Sequence, residues 1–334
     1  MKNFNLQLFA NELQTTLLDG LSAEMKTFYD MTLIDEASPA LVHEQFGQKR
    51  PIPKNGGKTI EFRKFSPLAK ATAPLTEGVT PDGKSLNVTT LTATVNQYGD
   101  YITQSDVLEL TSIDNTILEA TKLLGKQAGA TLDTVVRDIL VAGTNVSYAS
   151  KWAGDTETVV TSRKNLDATA TLKVDTIQQA VAKLRAQNAP TINGKYVAVI
   201  HPYVAYDLMR DPEWIDAHKY AQPENLYAGE IGEIGGVRFV QTTEAKIWKD
   251  STCPDGLAVF GCLFLGEGAY GVTEITGGGL QTIVKQKGSA GTADPLDQRS
   301  SVGWKAIKTA ERLVENYMVR VECCSKYSAD AAAN

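Results

Sequence analysis

Two stretches decide how this chain is read: Lys58–Phe65, KTIEFRKF, and Asn87–Val95, NVTTLTATV. In the first, Ile60 and Phe62 alternate with Glu61 and Arg63, the period of two that marks a strand with one apolar face. In the second, Leu91, Ala93 and Val95 alternate with Thr90, Thr92 and Thr94, and β-branched residues dominate. About 20 residues, punctuated by Pro67, Pro74, Gly78, Pro81 and Gly83, join them, too many for a compact hairpin turn. The pattern predicts a long two-stranded arm projecting from a body. Such an arm buries little surface against its own chain and needs a partner to hold it.

The arm is unevenly charged. From Lys49 to Lys70 there are seven Lys/Arg residues and one acid, Glu61. Arg50, Arg63, Lys64 and Lys70, with Glu77 and Lys84 further along, are therefore candidate contacts for a neighbour's acidic face or for phosphate. A solvated basic face would carry the same charges.

Working outward, helix-like pieces around Glu12–Leu18 and Ala23–Ile34, followed by Pro51-Ile52-Pro53, read as an N-terminal arm rather than a domain. On the other side, Thr116 with Glu119 resembles a capping box. Apolar or small residues then recur at Ile117, Ala120, Leu124, Ala128, Leu132, Val135, Ile139 and Ala142, a helical period, with Gly143 as a left-handed stop. At 1.5 Å per residue this helix is about 40 Å long, which suits a spine across a flat, extended body. A second helix opens at Asp175, with Gln178 at the capping-box position and Pro190 beyond its end. Tyr196–Ile200 is a buried-type strand, and His201-Pro202 starts a short helix. Residues 229–240, GEIGEIGGVRFV, are glycine turns at Gly232, Gly235 and Gly236 feeding a strand. Leu257–Leu265 and the segments VGWKAIKTA and YMVRVECC complete an α+β chain in which helices and strands are segregated.

Composition sets wider bounds. The 334 residues, 43% hydrophobic, suit about two globular domains and exclude wholesale disorder. No run approaches the ~18–20 apolar residues of a membrane span. MKNFNLQLFA, broken by Asn5 and Gln7, does not read as a signal peptide, so the expected place of synthesis and use is the cytoplasm of the producing cell. The net charge of -6 argues against a dedicated nucleic-acid binder but excludes little else. Cys253, Cys262, Cys323 and Cys324 form no CxxC pair; they are expected to be reduced and buried, with Cys323 and Cys324 on opposite faces of a strand.

Several motifs that could carry chemistry fail on context. Gly266–Gly271, GEGAYG, fits GxGxxG after an apolar strand, but VTEITGGG follows where a dinucleotide site needs a helix. Asn55–Thr59, NGGKT, ends like a phosphate loop but lacks its first glycine (Ile52 stands there) and opens a strand. His43, His201 and His218 have no metal-ligand spacing, and no GxSxG elbow is present. No catalytic, cofactor-binding or metal-binding residue is expected.

A resemblance runs through most of the chain. MKTFYDMTLIDEASPALVHEQFGQKRPIPKNGGKTIEFRKFSPL, LTEGVTPD, QYGDYITQSDVLELTSID, RDILVAGTNVSYA, VIHPYVAYDLMRDPEWIDAHKY, GEIGEIGGVRFVQTTEAK and DPLDQRSSVGWKA, taken in order, resemble the tailed-bacteriophage major capsid family typified by the phage N-four shell protein. The opening MKNFNLQLFA is similar to the start of many phage capsid proteins. The resemblance implies the Hong Kong 97-type capsid fold. Carried onto this chain, residues 1–55 are an N-terminal arm and 56–104 the extended E-loop. Residues 105–174 are a first P-domain part with the spine helix at about 115–142, 175–255 an A-domain, and 256–334 a second P-domain part with the tail.

The function implied is self-assembly into hexamers and pentamers of an icosahedral shell enclosing phage double-stranded DNA, without enzymatic activity. In that reading Arg50, Arg63, Lys64, Lys70, Glu77 and Lys84 lie on inter-subunit contacts, and Gly232, Gly235 and Gly236 let the A-domain pack near a symmetry axis. The implied partners are further copies of the chain, a portal protein, a separate scaffolding protein or none, a decoration protein, and non-specifically contacted DNA; no membrane is involved. The implied location is the virion capsid, with assembly in the host cytoplasm. Only about 55 residues precede the E-loop, so proteolytic maturation is not expected, nor is a lysine–asparagine cross-link. Two other readings remain open: an encapsulin-like nanocompartment shell, and a nucleotide-binding enzyme using Gly266–Gly271.

Overall fold

The computed structural model describes residues 23–37, 41–65, 68–78, 80, 82–112, 116–154, 156–218, 232–289 and 294–334. The expected helix-like piece Glu12–Leu18 lies outside them, as do Pro67 and Pro81 of the arm and residues 229–231 of the glycine-turn segment. In chain order the elements are α1 (Ala23–Ala37), β1 (Gln48–Lys49), β2 (Thr59–Phe65), β3 (Val88–Thr94), β4 (Asn96–Ser105), α2 (Asp106–Thr111) and α3 (Thr116–Val141). They continue with β5 (Val146–Tyr148), β6 (Lys151–Ala153), β7 (Thr156–Thr158), α4 (Val174–Ala186), β8 (Tyr196–Ile200), α5 (Pro202–Met209) and α6 (Pro212–His218). The last are β9 (Glu233–Ile234), β10 (Val237–Gln241), β11 (Ile247–Trp248), β12 (Val259–Leu265), β13 (Tyr270–Glu274), β14 (Gln281–Lys285), β15 (Arg299–Arg312) and β16 (Met318–Cys323).

The chain forms two compact units, each drawn from separated stretches. One comprises Met1–Ser38, Tyr98–Ala128 and Leu280–Ala306; the other comprises Pro39–Gln97, Gly129–Gly279 and Ile307–Asn334. Within the larger unit, β12 and β16 pair in one sheet with β8 and β10.

That sheet, ordered β5-β16-β12-β8-β10-β9 with β11 on β12, is the centre of the larger unit. β8 (YVAVI) and β12 (VFGCLFL) are buried at every position, the continuous apolar run expected of strands covered on both faces. The alternation of side chains sorts them into two cores. Ala198, Ile200, Phe260, Cys262, Phe264, Val319 and Val321 pack with Ile177, Val181 and Leu184 of α4 and Val204 and Leu208 of α5. Val199, Leu263, Leu265 and Met318 point the other way, onto Val136, Leu140 and Val141 of α3.

In the smaller unit, β14 pairs with Ser301–Lys305 of β15, and β4 flanks β15 so closely that glycines are required. A Cβ on Gly99 would lie 2.6 Å from the Trp304 carbonyl oxygen, and one on Gly303 would lie 2.7 Å from Tyr101 Cβ. α1 likewise crosses α3 at Gly125, where a Cβ would lie 2.8 Å from the Leu33 carbonyl oxygen.

Local signals were met differently from their expectation at four points. Thr116 is already helical, and its hydroxyl donates to Gln104 Oε1 at 3.0 Å; Glu119 accepts from Lys122 at 2.8 Å. α4 is entered at Lys173 without a side-chain cap, and the carboxylate of Asp211 accepts from Val174 N at 2.9 Å in place of an Asp175–Gln178 box. Gly143 is not left-handed; a Cβ there would lie 2.6 Å from Glu315 Oε1, so close approach explains the glycine. β16 ends at Cys323, so Cys324 escapes the strand alternation and joins Cys323 in the same core cluster. All four cysteines are unbridged and buried, and burial pushes the Cys324 thiol up to about 12.

Candidate functional site

The arm forms as β2 and β3, antiparallel from Thr59↔Thr94 to Phe65↔Val88. Val95 N donates to the Lys58 carbonyl at 3.0 Å and closes its base. Opposed residues share a face, so Ile60 with Ala93 and Phe62 with Leu91 form the inner side, and Glu61 with Thr92 and Arg63 with Thr90 the outer. Phe62, 3% exposed, is the anchor of the arm. Its ring lies over Gly271 of β13, where any Cβ would stand 2.7 Å from Phe62 Cε1. Beyond the strands the described residues of the two limbs are exposed, and the limbs are joined by Lys84 Nζ donating to the Ala69 carbonyl at 3.0 Å. Leu68, Leu75, Leu86 and Val88 stand in solvent, Leu75 at 78%.

The segment before the arm is held by a buried polar cluster. His43 N donates to Asp133 Oδ1 at 2.8 Å, and its Nδ1 lies 2.6 Å from Asp133 Oδ2. Tyr270 donates its hydroxyl to the His43 carbonyl, and burial pushes that phenol up, so it stays a neutral donor. Glu44 pairs with Lys308, and with Lys49 at 3.4 Å. Burial alone would raise the Glu44 carboxyl, but attraction to Lys308 and then to Lys49 outweighs it and holds the group below its ordinary value. β1 then pairs in parallel with Gly271 and Val272 of β13, so one strand carries both the pre-arm segment and the seat for Phe62.

The expected contact residues fall into two groups. Arg50, Arg63 and Lys64 line one shallow pocket with Gln48, Phe62 and Leu91, and the Arg50 guanidinium lies 5.9 Å from the Phe62 ring centroid. Lys70, Glu77 and Lys84 lie on the exposed limbs beyond the strands. Gly232, Gly235 and Gly236 belong to a different place, the edge of the large sheet. There Gly235 (φ 62°) and Gly236 (φ 82°) make the two-residue turn between Ile234 and Val237, a backbone that needs positive φ at both positions.

The glycine motif is absorbed by packing. A Cβ on Gly266 would lie 2.8 Å from the Pro190 carbonyl oxygen, Gly268 turns with φ 70°, and Gly271 seats Phe62. A strand, β13, follows instead of a helix. Sequence reasoning missed the polar residues that lock α3. Glu322, fully buried, accepts from Arg163 Nε and Nη2 at 2.7 Å each and from Arg320 Nε at 2.9 Å. Arg320 also donates to the carbonyls of Val141 and Gly143, placing a cation at the negative end of α3. Their spacing in sequence (163, 320, 322) holds no signal that would have joined them. Among the described residues no cluster of His, Cys, Asp and Glu is arranged to hold a metal, and no helix is long and apolar enough to cross a membrane.

Comparison with known proteins adds a family. A family model described as phage capsid protein matches residues 87–310, two thirds of the chain. No curated protein matches the sequence. Among solved structures, the chain is similar to the capsid of Ralstonia phage GP4 (TM-score 0.64, 15% identity, 84% of this chain and 87% of that one). It is also similar to the capsid protein of cyanophage Pam1 (TM-score 0.62, 13% identity, 97% and 99%). A virus-like particle from Pyrococcus furiosus is similar at TM-score 0.50 and 9% identity, over 89% and 99%.

Proposed function

The chain belongs to the phage capsid protein family, and from that membership we propose that it closes, as hexamers and pentamers, an icosahedral shell around phage double-stranded DNA. It is a major capsid protein of Hong Kong 97-type fold, a structural component of the virion rather than an enzyme. In this reading residues 56–104 are the loop that reaches a neighbour, with Arg63, Lys64, Lys70, Glu77 and Lys84 on its contact surface and Arg50, at the end of the N-terminal arm, beside them. The helix Thr116–Val141 is the stiff spine, and the turns at Gly232, Gly235 and Gly236 lie toward a symmetry axis. Assembly takes place in the host cytoplasm with a portal protein, with or without separate scaffolding and decoration proteins, and DNA is contacted without sequence preference.

The observation that carries the proposal is the arm itself. It is pinned at one end by Phe62 and exposes Leu68, Leu75 and Leu86 at the other, an arrangement with no use in an isolated subunit. Many weak contacts of this kind, repeated around rings, add up by multivalency. The test is deletion of residues 68–84. Subunits should remain folded by circular dichroism yet form no shells by negative-stain electron microscopy; normal shells from the deletion would refute the role of the arm. The alternative is a nanocompartment around a protein cargo; the likeness to the Pyrococcus furiosus virus-like particle supports only the shell fold that the two readings share. Nucleic acid, not protein, inside purified particles separates the two.

A further inference from the structure

At the root of the arm, positive charge gathers around a small hollow. Arg50 of the pre-arm segment, Arg63 and Lys64 of β2, and Gly268 line one cavity of about 160 Å³, with Phe62 and Leu91 as its apolar side. No carboxylate lines it, and among the described residues none of the three cations has an acidic partner. Cations close by are treated differently: Lys49, one residue from Arg50, shares Glu44 with Lys308. Arg50 is also held in place. Its backbone N donates to the Val272 carbonyl at 3.1 Å, and its guanidinium lies 5.9 Å from the Phe62 ring centroid.

Gly268 is the middle glycine of GEGAYG. It turns with φ 70°, and nothing stands within 4 Å of the position a Cβ would take. The motif, which builds no dinucleotide site, thus brings bare backbone to the same cavity as three cations. Size narrows the ligand. Sites for small organic molecules run to about 300–1,000 Å³, so this cavity admits a tetrahedral oxyanion and a few waters but not a base with its ribose. Cations crowded without a counter-charge repel one another, and an anion among them relieves that cost. A guanidinium fork beside an ammonium is the donor set that phosphate takes.

We propose that this cavity is an oxyanion site for a phosphate group, and that the bound anion clamps the root of the arm. A phosphate held jointly by Arg50 and Lys64 ties β2 to the segment that runs along β13, beside the seat of Phe62. The arm is then stiffer in phosphate than in chloride. The site belongs to a single copy of the chain and does not rest on the shell reading. An inorganic ion and the backbone of a nucleic acid offer the same group, and the two sources are separated by competition.

The test titrates the full-length chain with inorganic phosphate at constant ionic strength, against a chloride background, by calorimetry. Binding should saturate at one phosphate per chain, and Arg50→Gln and Lys64→Gln should each weaken it by about tenfold or more. Lys54→Gln and Lys58→Gln, which change exposed cations outside the cavity, should alter it by less than about twofold. At about ten times Kd, the amides of β2 whose exchange requires release of the arm root should slow by about tenfold, and those of β8 should keep their rates. A short DNA duplex that competes with phosphate and is weakened by the same two variants identifies the nucleic-acid backbone as the source; a duplex that leaves phosphate binding unchanged identifies the free ion. No saturable phosphate binding, an equal loss in Lys54→Gln and Lys58→Gln, or unchanged exchange in β2 would overturn the site while leaving the shell reading intact. Failure of the parent chain to form shells would overturn that reading and leave the site standing.

Discussion

Gly271→Ala should loosen the arm at its root. The added Cβ would stand 2.7 Å from Phe62 Cε1, 2.8 Å from Phe62 Cζ and 3.5 Å from Leu313 Cδ1. Carbon atoms pack comfortably at about 3.5–4.0 Å, so the ring must move by nearly 1 Å. It has little room: Phe62 is 3% exposed, and its neighbours across the hairpin and on β13 are tied by the strand ladders. Overpacking of this kind costs about 1–3 kcal/mol. Full expulsion of the ring would forfeit about 1.5–3 kcal/mol of burial, so the two routes bracket the same range. The energy is drawn from the local opening of β2 and β3, which hydrogen exchange reads directly. Their amides should therefore exchange roughly 5- to 150-fold faster in Gly271→Ala, while those of β8 and β12 keep their rates. In a Phe62→Leu background, which removes the ring edge, the same alanine should cost less than about 0.5 kcal/mol, leaving a coupling of about 0.5–3 kcal/mol. Equal effects of Gly271→Ala with and without the Phe62 ring would refute the anchoring contact.

Two further outcomes follow from the buried charges. Glu322→Gln replaces one oxygen of a carboxylate that serves two guanidinium groups; it should destabilise the subunit by about 3–5 kcal/mol in urea denaturation, and a loss under 1 kcal/mol would show the cluster to be dispensable. Glu44, with its carboxyl held below the ordinary value, contributes stability that is complete above about pH 4.5 and is lost as pH falls through its lower folded-state value. Glu44→Gln should therefore be less stable than the parent at pH 7 and lose less on acidification to pH 3.5, so parallel melting-temperature profiles would contradict the Lys308 pairing.

The sequence alone determined the elements that repeat a short period. The alternation in KTIEFRKF and NVTTLTATV predicts β2 and β3 because one apolar face must lie down while the other stays wet. YVAVI reads as a doubly covered strand, and the Pro after His201 starts α5, where His201 Nδ1 accepts from Tyr203 N at 3.1 Å. The basic run and the exposed limbs of the arm were also legible, since neither depends on a distant contact.

Tertiary structure decided everything that joins residues far apart. The buried positions of α3 recur every fourth residue, at Ala120, Leu124, Ala128, Leu132, Val136 and Leu140, with Thr121, Asp133 and Arg137 beside them. The apolar count predicts Val135 and Ile139 instead, because a spacing of four rotates the buried stripe by about 40° per turn and brings polar residues inward. Asp133 and Arg137 are tolerated there because His43 and the Glu244 carbonyl meet them. The use of Gly271 as a seat for Phe62 and the passage of β12 and β16 into the sheet of β8 are likewise invisible along the chain. Local periodicity reports which face of a segment is apolar; which partner covers that face is set by contacts between residues up to 264 positions apart, as Lys308 and Glu44 are.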